Sequence, residues 1–225
     1  MGATTTRMLL LGAVGLFEPV NGYQIRRELM SWQVDRWGNL NPGSIYHGLT
    51  RLTANGLLRR HDLSDGSREV AVYELTADGR VELDSLIESA VTTVDIFDRR
   101  DLHAAFGLLP MVDADKSAAW LRTRLTALTA AVSEIPETIS PDDHPYAPPH
   151  ALRGMELWGA EARAELTWLA GVVEDLTSGR LSFAPSETYT WQPPADDPGH
   201  QMTADRERYR AMIGGRSAEH GATSQ

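Results

Sequence analysis

The spacing of apolar residues divides the chain into a series of short elements followed by long helices. Residues 6–17 form an apolar stretch that reads as a buried helix, and Pro19 ends it. Asn21 stands at a capping position for a second helix over 22–31, with Ile25 and Leu29 turned inward. The segment 32–40 links it to a third helix, with Trp32 and Trp37 packing a small core. In that third helix Asn41 is placed to cap with its side-chain oxygen, and Pro42 suits the first turn, where no amide donor is needed. Ile45, Leu49 and Leu52 recur at helical spacing, so this face is buried and Ser44, His47, Thr50 and Arg51 lie opposite. Gly56 falls where a left-handed C-terminal cap is wanted.

After Gly56 the period changes. Residues 57–76 read as two strands around an Asp65-Gly66 turn, a strong hairpin signal. A helix that feeds a two-stranded ribbon is the ending of a winged helix-turn-helix, which makes double-stranded DNA the expected ligand. Thr76 then caps a long helix whose apolar stripe runs to about residue 109, where Pro110 closes it. Two more long helices are expected over 113–135 and 151–177, joined by a proline-rich connection over 136–149. Beyond residue 178 the chain is rich in Pro, Gly, Ser and polar residues, so an irregular or disordered tail is expected, with a short helix over 204–213.

Charge follows the same division. The chain of 225 residues carries a net charge of −10, which argues against a generally adhesive nucleic-acid binder. Residues 1–80 hold nine arginines and eight acids, whereas 81–180 hold eight basic and seventeen acidic residues. Only the N-terminal third would not be repelled by a phosphate backbone. The absence of cysteine excludes disulfides and thiolate chemistry and suits a reducing cytoplasm. No apolar run reaches the roughly 18 residues needed to span a membrane. The apolar start is not followed by a convincing small-residue cleavage site, so it is expected to be a helix of the folded domain.

The ordered set MLLLGAV, GYQI at 22–25, NPGSIYHGLTRL, NGLL at 55–58 and YELTADGR at 73–80 resembles the PadR-type transcriptional regulators over residues 8–83. The resemblance implies a mainly α fold: an N-terminal winged helix-turn-helix with a two-stranded wing, then long C-terminal dimerisation helices. It implies a homodimeric, usually repressing regulator, often released from DNA by a small molecule. The expected domains are 1–80 for DNA binding, 81–180 for dimerisation and an effector, and 181–225 for the tail. Two features depart from the family pattern: acids flank the wing arginine, and His47 stands where proline is frequent.

Major-groove reading needs polar side chains at the start of a helix of suitable width. The expected DNA-binding residues are Tyr23 and Gln24 at the second helix, Asn41, Ser44, Tyr46, His47, Thr50 and Arg51 on the third, and Ser67 and Arg68 at the wing tip. Phe106, Trp120, Met155, Trp158 and Trp168 are candidates to line a pocket for a flat aromatic effector. The seven histidines lack zinc-ligand spacing, and no phosphate-binding loop or nucleophile elbow occurs. No cofactor, catalytic activity or membrane partner is expected.

Overall fold

The computed structural model describes residues 2–38, 40–66, 68–183, 194–197 and 199–222. The chain divides into two compact units, one formed by residues 1–86 with 190–225 and the other by 87–189.

The first unit is a winged helix-turn-helix. Helix α1 (Gly2–Phe17) supplies the apolar centre, with Met8, Leu9, Leu10, Leu11, Ala13 and Val14 all buried. Strand β1 (Val20–Asn21) leads into α2 (Gly22–Ser31), a short α3 (Val34–Trp37) and α4 (Pro42–Ala54). Strands β2 (Leu58–Asp65) and β3 (Arg68–Leu75) form the hairpin. The sheet has three strands in the order β1-β3-β2, all antiparallel, so the expected ribbon gains a third member that pairs Val20 with Tyr73.

Two glycines let these elements approach closely. A methyl group at Gly48 would lie 2.4 Å from Leu10 Cδ1, which accounts for a glycine in the middle of α4 where propensity disfavours it. One at Gly79 would lie 2.0 Å from the Leu57 carbonyl oxygen. Thr76 completes that joint, accepting from the Gly79 amide at 3.0 Å and donating to the Gly56 carbonyl at 2.7 Å.

The structure differs from expectation after the wing. Helix α5 (Ala77–Thr92) stops well before residue 109, and α6 (Arg100–Leu108) follows as a separate helix. The break has a local cause. The Asp95 and Asp98 carboxylates accept the amides of Phe97 and Arg100, turning the chain in the way short acidic side chains favour.

Within the second unit, α7 (Ala114–Ser133) and α8 (Pro149–Ser178) pack together through Leu121, Leu128, Ala162 and Leu169, all fully buried. Asp113 caps α7 by accepting the amides of Asp115 and Lys116. A charged network is enclosed here. Glu165 accepts from Arg124 Nε at 2.9 Å and Nη2 at 2.6 Å, and from Arg99 Nε at 2.8 Å. Arg124 Nη1 also donates to the carbonyls of Val91 and Thr93 at the end of α5.

The tail is the second departure. Helix α9 (Gly199–Ala222) extends the expected short helix over 204–213 at both ends and belongs to the first unit. Met202 and Tyr209 are buried, and Met212 and Ile213 pack beside Tyr209, at positions that recur with helical spacing.

Candidate nucleic-acid interface

The α4 helix buries Ile45, Leu49 and Leu52 against the rest of the first unit, and this fixes what the other side presents. Asn41, Ser44, Tyr46, His47, Thr50 and Arg51 are all exposed. Ser44, His47 and Arg51 fall on one stripe, each about one turn after the last. Among the described residues no hydrogen bond or ion pair engages the side chains of His47 or Arg51. The Thr50 hydroxyl donates back to the Tyr46 carbonyl at 3.0 Å, and the Ser44 hydroxyl donates to the Asn41 carbonyl at 2.7 Å. Both hydroxyl oxygens can still accept a hydrogen bond. Asn41 does not cap through its side chain. It supplies its carbonyl to Ser44 instead, and its amide group stays exposed.

Helix α2 opens beside α4. Asn21 accepts the Gln24 amide at 2.9 Å, and Gln24 Oε1 accepts the Asn21 amide at 3.2 Å, a reciprocal capping box. This corrects the expectation for Gln24. Its side chain is buried, occupied by the cap and by a 2.7 Å bond to Asp205, so it does not face a ligand. Tyr23 is 64% exposed, and the Tyr46 ring rests against Gly22, where a methyl group would meet Tyr46 Cε1 at 2.9 Å.

The wing completes the surface. Gly66 takes φ +66° at the turn, a conformation that suits glycine, and Arg68 is exposed just after it. Ser67 lies outside the described residues. A cleft of about 400 Å³ separates the wing from the starts of α2 and α4. It is lined by Tyr23, Tyr46, Tyr73 and Tyr209, with Arg68 between Asp65 and Glu69. Burial raises the Tyr73 phenol above its ordinary value, so it stays a neutral donor. Tyr209 joins this lining from α9, where Met202, Tyr209 and Met212 carry a helical period.

Charge on this unit is sorted by pairing. Arg7, Arg27, Arg60 and Arg80 pair with Glu82, Glu28, Asp62 and Glu18. Arg51 and Arg68, like Arg26, Arg36 and Arg59, have no acidic partner among the described residues, and Arg51 and Arg68 stand on α4 and the wing.

Among the aromatic and methionine candidates of the second unit, Trp158 and Trp168 make separate ring contacts. Trp158 meets Phe97 edge-to-face at 5.1 Å between ring centroids, and Trp168 meets Phe106 at 5.1 Å. The two tryptophans are about 15 Å apart along α8 at 1.5 Å per residue. Trp120 is buried, with the Lys116 ammonium 4.9 Å from its ring centre. Met155 is half-buried. No group of side chains suited to a metal ion occurs among the described residues. No described helix is long and apolar enough to cross a membrane.

Residues 10–85 match the transcriptional regulator PadR-like family. The chain carries a PadR-like domain. The family so described is one of transcriptional regulators. No curated protein matches the chain. Solved structures similar to it include Bacillus subtilis PadR in complex with operator DNA, at 18% identity over 76% of this chain and 98% of that one, with a TM-score of 0.31. The PadR-like regulator BC1756 from Bacillus cereus is 16% identical over 76% of this chain and 94% of its own, with a TM-score of 0.33. Bacillus subtilis PadR in complex with p-coumaric acid is 16% identical over 76% and 99%, with a TM-score of 0.28. The assignment rests on the PadR-like match at 10–85 and not on these superpositions.

Proposed function

We propose that this PadR-like protein is a homodimeric repressor that reads an inverted-repeat operator. The carrying observation is the exposed polar stripe of α4, with Ser44, His47 and Arg51 beside a wing that presents Arg68. In this reading α4 enters the major groove, with His47 and Arg51 toward base edges and Asn41, Ser44 and Thr50 completing the contact. Tyr23, Tyr46, Ser67 and Arg68 hold the sugar-phosphate backbone, which sets register without reading sequence. One winged helix covers few base pairs, so two copies on half-sites about one helical turn apart supply specificity.

The large apolar side chains left exposed on α8, Leu157, Trp158 and Trp168, favour a second copy as the partner of the helical unit. Release of the operator by a small aromatic molecule belongs to the same reading, with Phe106 and Trp168 in contact as the aromatic pair among the residues named for it.

Selection of bound fragments from the source genome with purified protein, at two salt concentrations, tests the reading. Enrichment of one inverted repeat that weakens as salt rises is the expected result, because each neutralised phosphate releases a counterion. Absence of enrichment at low salt would refute DNA reading by the isolated protein and assign the α4 face to a protein partner.

A further inference from the structure

The hairpin of the wing has two faces, and α9 covers the outer one. Register pairs Leu63 with Val70 and His61 with Val72, so these four side chains point to the same side. On that side Leu63 and Val72 are fully buried by Tyr209, with Val70, Met212 and Ile213 packed around them. Polar contacts fix the helix along its length. Asn21 Nδ2 donates to the Tyr209 hydroxyl at 3.0 Å, and Arg206 donates to the carbonyls of Leu16 and Phe17 at the end of α1.

At the wing tip the contact becomes selective. Asp65 and Arg68 are cross-strand partners and would ordinarily pair with each other. Asp65 instead accepts from Arg208 Nη2 of α9 at 2.9 Å, and Arg68 has no partner among the described residues.

We propose that α9 is part of the DNA-reading head and that Arg208 is a positioning residue. By holding Asp65, it keeps the Arg68 guanidinium available to a backbone phosphate. This rests on the DNA-binding reading above, and it explains how a wing flanked by acids can still serve a polyanion.

Arg208 is about half exposed, with 47% of its side chain accessible, so Arg208→Ala should fold normally, as a thermal melt will verify. Operator affinity of the full-length variant should fall about two- to five-fold per wing, the scale of one exposed ion pair. Adding Asp65→Asn should restore it, because no acid then competes for Arg68. Unchanged or tighter binding by Arg208→Ala would overturn the proposal and make α9 a cover. A loss that Asp65→Asn fails to restore would also overturn it and make Arg208 a phosphate contact. A DNA-independent readout separates this from failure of the functional reading: in the free protein, Arg208→Ala should move the Arg68 guanidinium NMR signals as Asp65 transfers to it. Unmoved signals would refute the exchange whether or not DNA binds.

Discussion

Replacing Glu165 by glutamine tests how the helical unit holds together. The substitution keeps the shape and one acceptor oxygen but removes the only carboxylate between two guanidinium groups. Arg124 is 1% exposed and Glu165 is 5% exposed at the side chain, so water cannot take over as partner. Removing one member of a buried ion pair costs about 3–5 kcal/mol, because the remaining charge stays desolvated. Glu161 offers little relief: it is 48% exposed and reaches only Arg99, at 3.4 Å. Against a total stability of about 5–15 kcal/mol, this loss is large. With a urea slope of about 1–3 kcal/mol per molar, the midpoint should drop by roughly 2 M. The assay is urea unfolding followed by circular dichroism at one fixed protein concentration, since association would add its own stability. Arg124→Met combined with Glu165→Leu should cost less than Glu165→Gln alone, because the fully buried charge goes with its partner and only Arg99, 19% exposed and still within reach of Glu161, loses one. Some loss remains, as the Val91 and Thr93 carbonyls give up a donor. A midpoint for Glu165→Gln within 0.2 M of the parent, on the order of 0.5 kcal/mol, would refute the claim that this pair is desolvated.

Gly79→Ala should lower stability by about 1–3 kcal/mol, read as a reduced melting temperature, because its methyl group has to displace the Leu57 carbonyl. Arg51→Ala with Arg68→Ala should weaken operator binding and flatten its salt dependence while leaving the oligomeric state unchanged. Binding titrations at several salt concentrations, with sedimentation, check this, and undiminished affinity would show the reading face to be misplaced. The Arg100 guanidinium lowers the Asp98 carboxyl from its ordinary 3.8 to about 2. Its contribution to stability is therefore complete above pH ~4 and is lost as pH falls through about 2, the sign expected for a carboxylate ionised in the folded state. Acid titration of Asp98→Asn should show a shallower loss across that window.

The reading head was legible because its signals are local. Ile45, Leu49 and Leu52 define a helical face on their own, and Asp65-Gly66 specifies a tight turn whatever surrounds it. What escaped was tertiary. Gln24 looks like any exposed polar residue near a helix start until Asp205 arrives from elsewhere in the chain and buries it. The break between α5 and α6 hides under a continuous apolar stripe, since Asp95 and Asp98 turn the backbone without interrupting the hydrophobic pattern. The length of α9 beyond residues 204–213 was masked by composition: glycine and polar residues make it a poor helix in isolation, and the buried face of the wing stabilises it. Trp158 and Trp168 share a residue type but not a location, because residues ten apart on a helix are separated by nearly three turns.

The dispersed origin of the first unit also bears on how the protein is made. Asp65 and Arg208 are 143 positions apart, yet they meet at the wing tip. At a synthesis rate of about 5–20 residues per second, on the order of ten seconds passes between their translation. Throughout that interval the hairpin has left the ribosome with Leu63 and Val72 uncovered, an apolar strand surface of the kind that recruits chaperones or neighbouring nascent chains. Expression yield should therefore depend on residues 199–222, and a domain inserted ahead of them would delay closure of the hairpin.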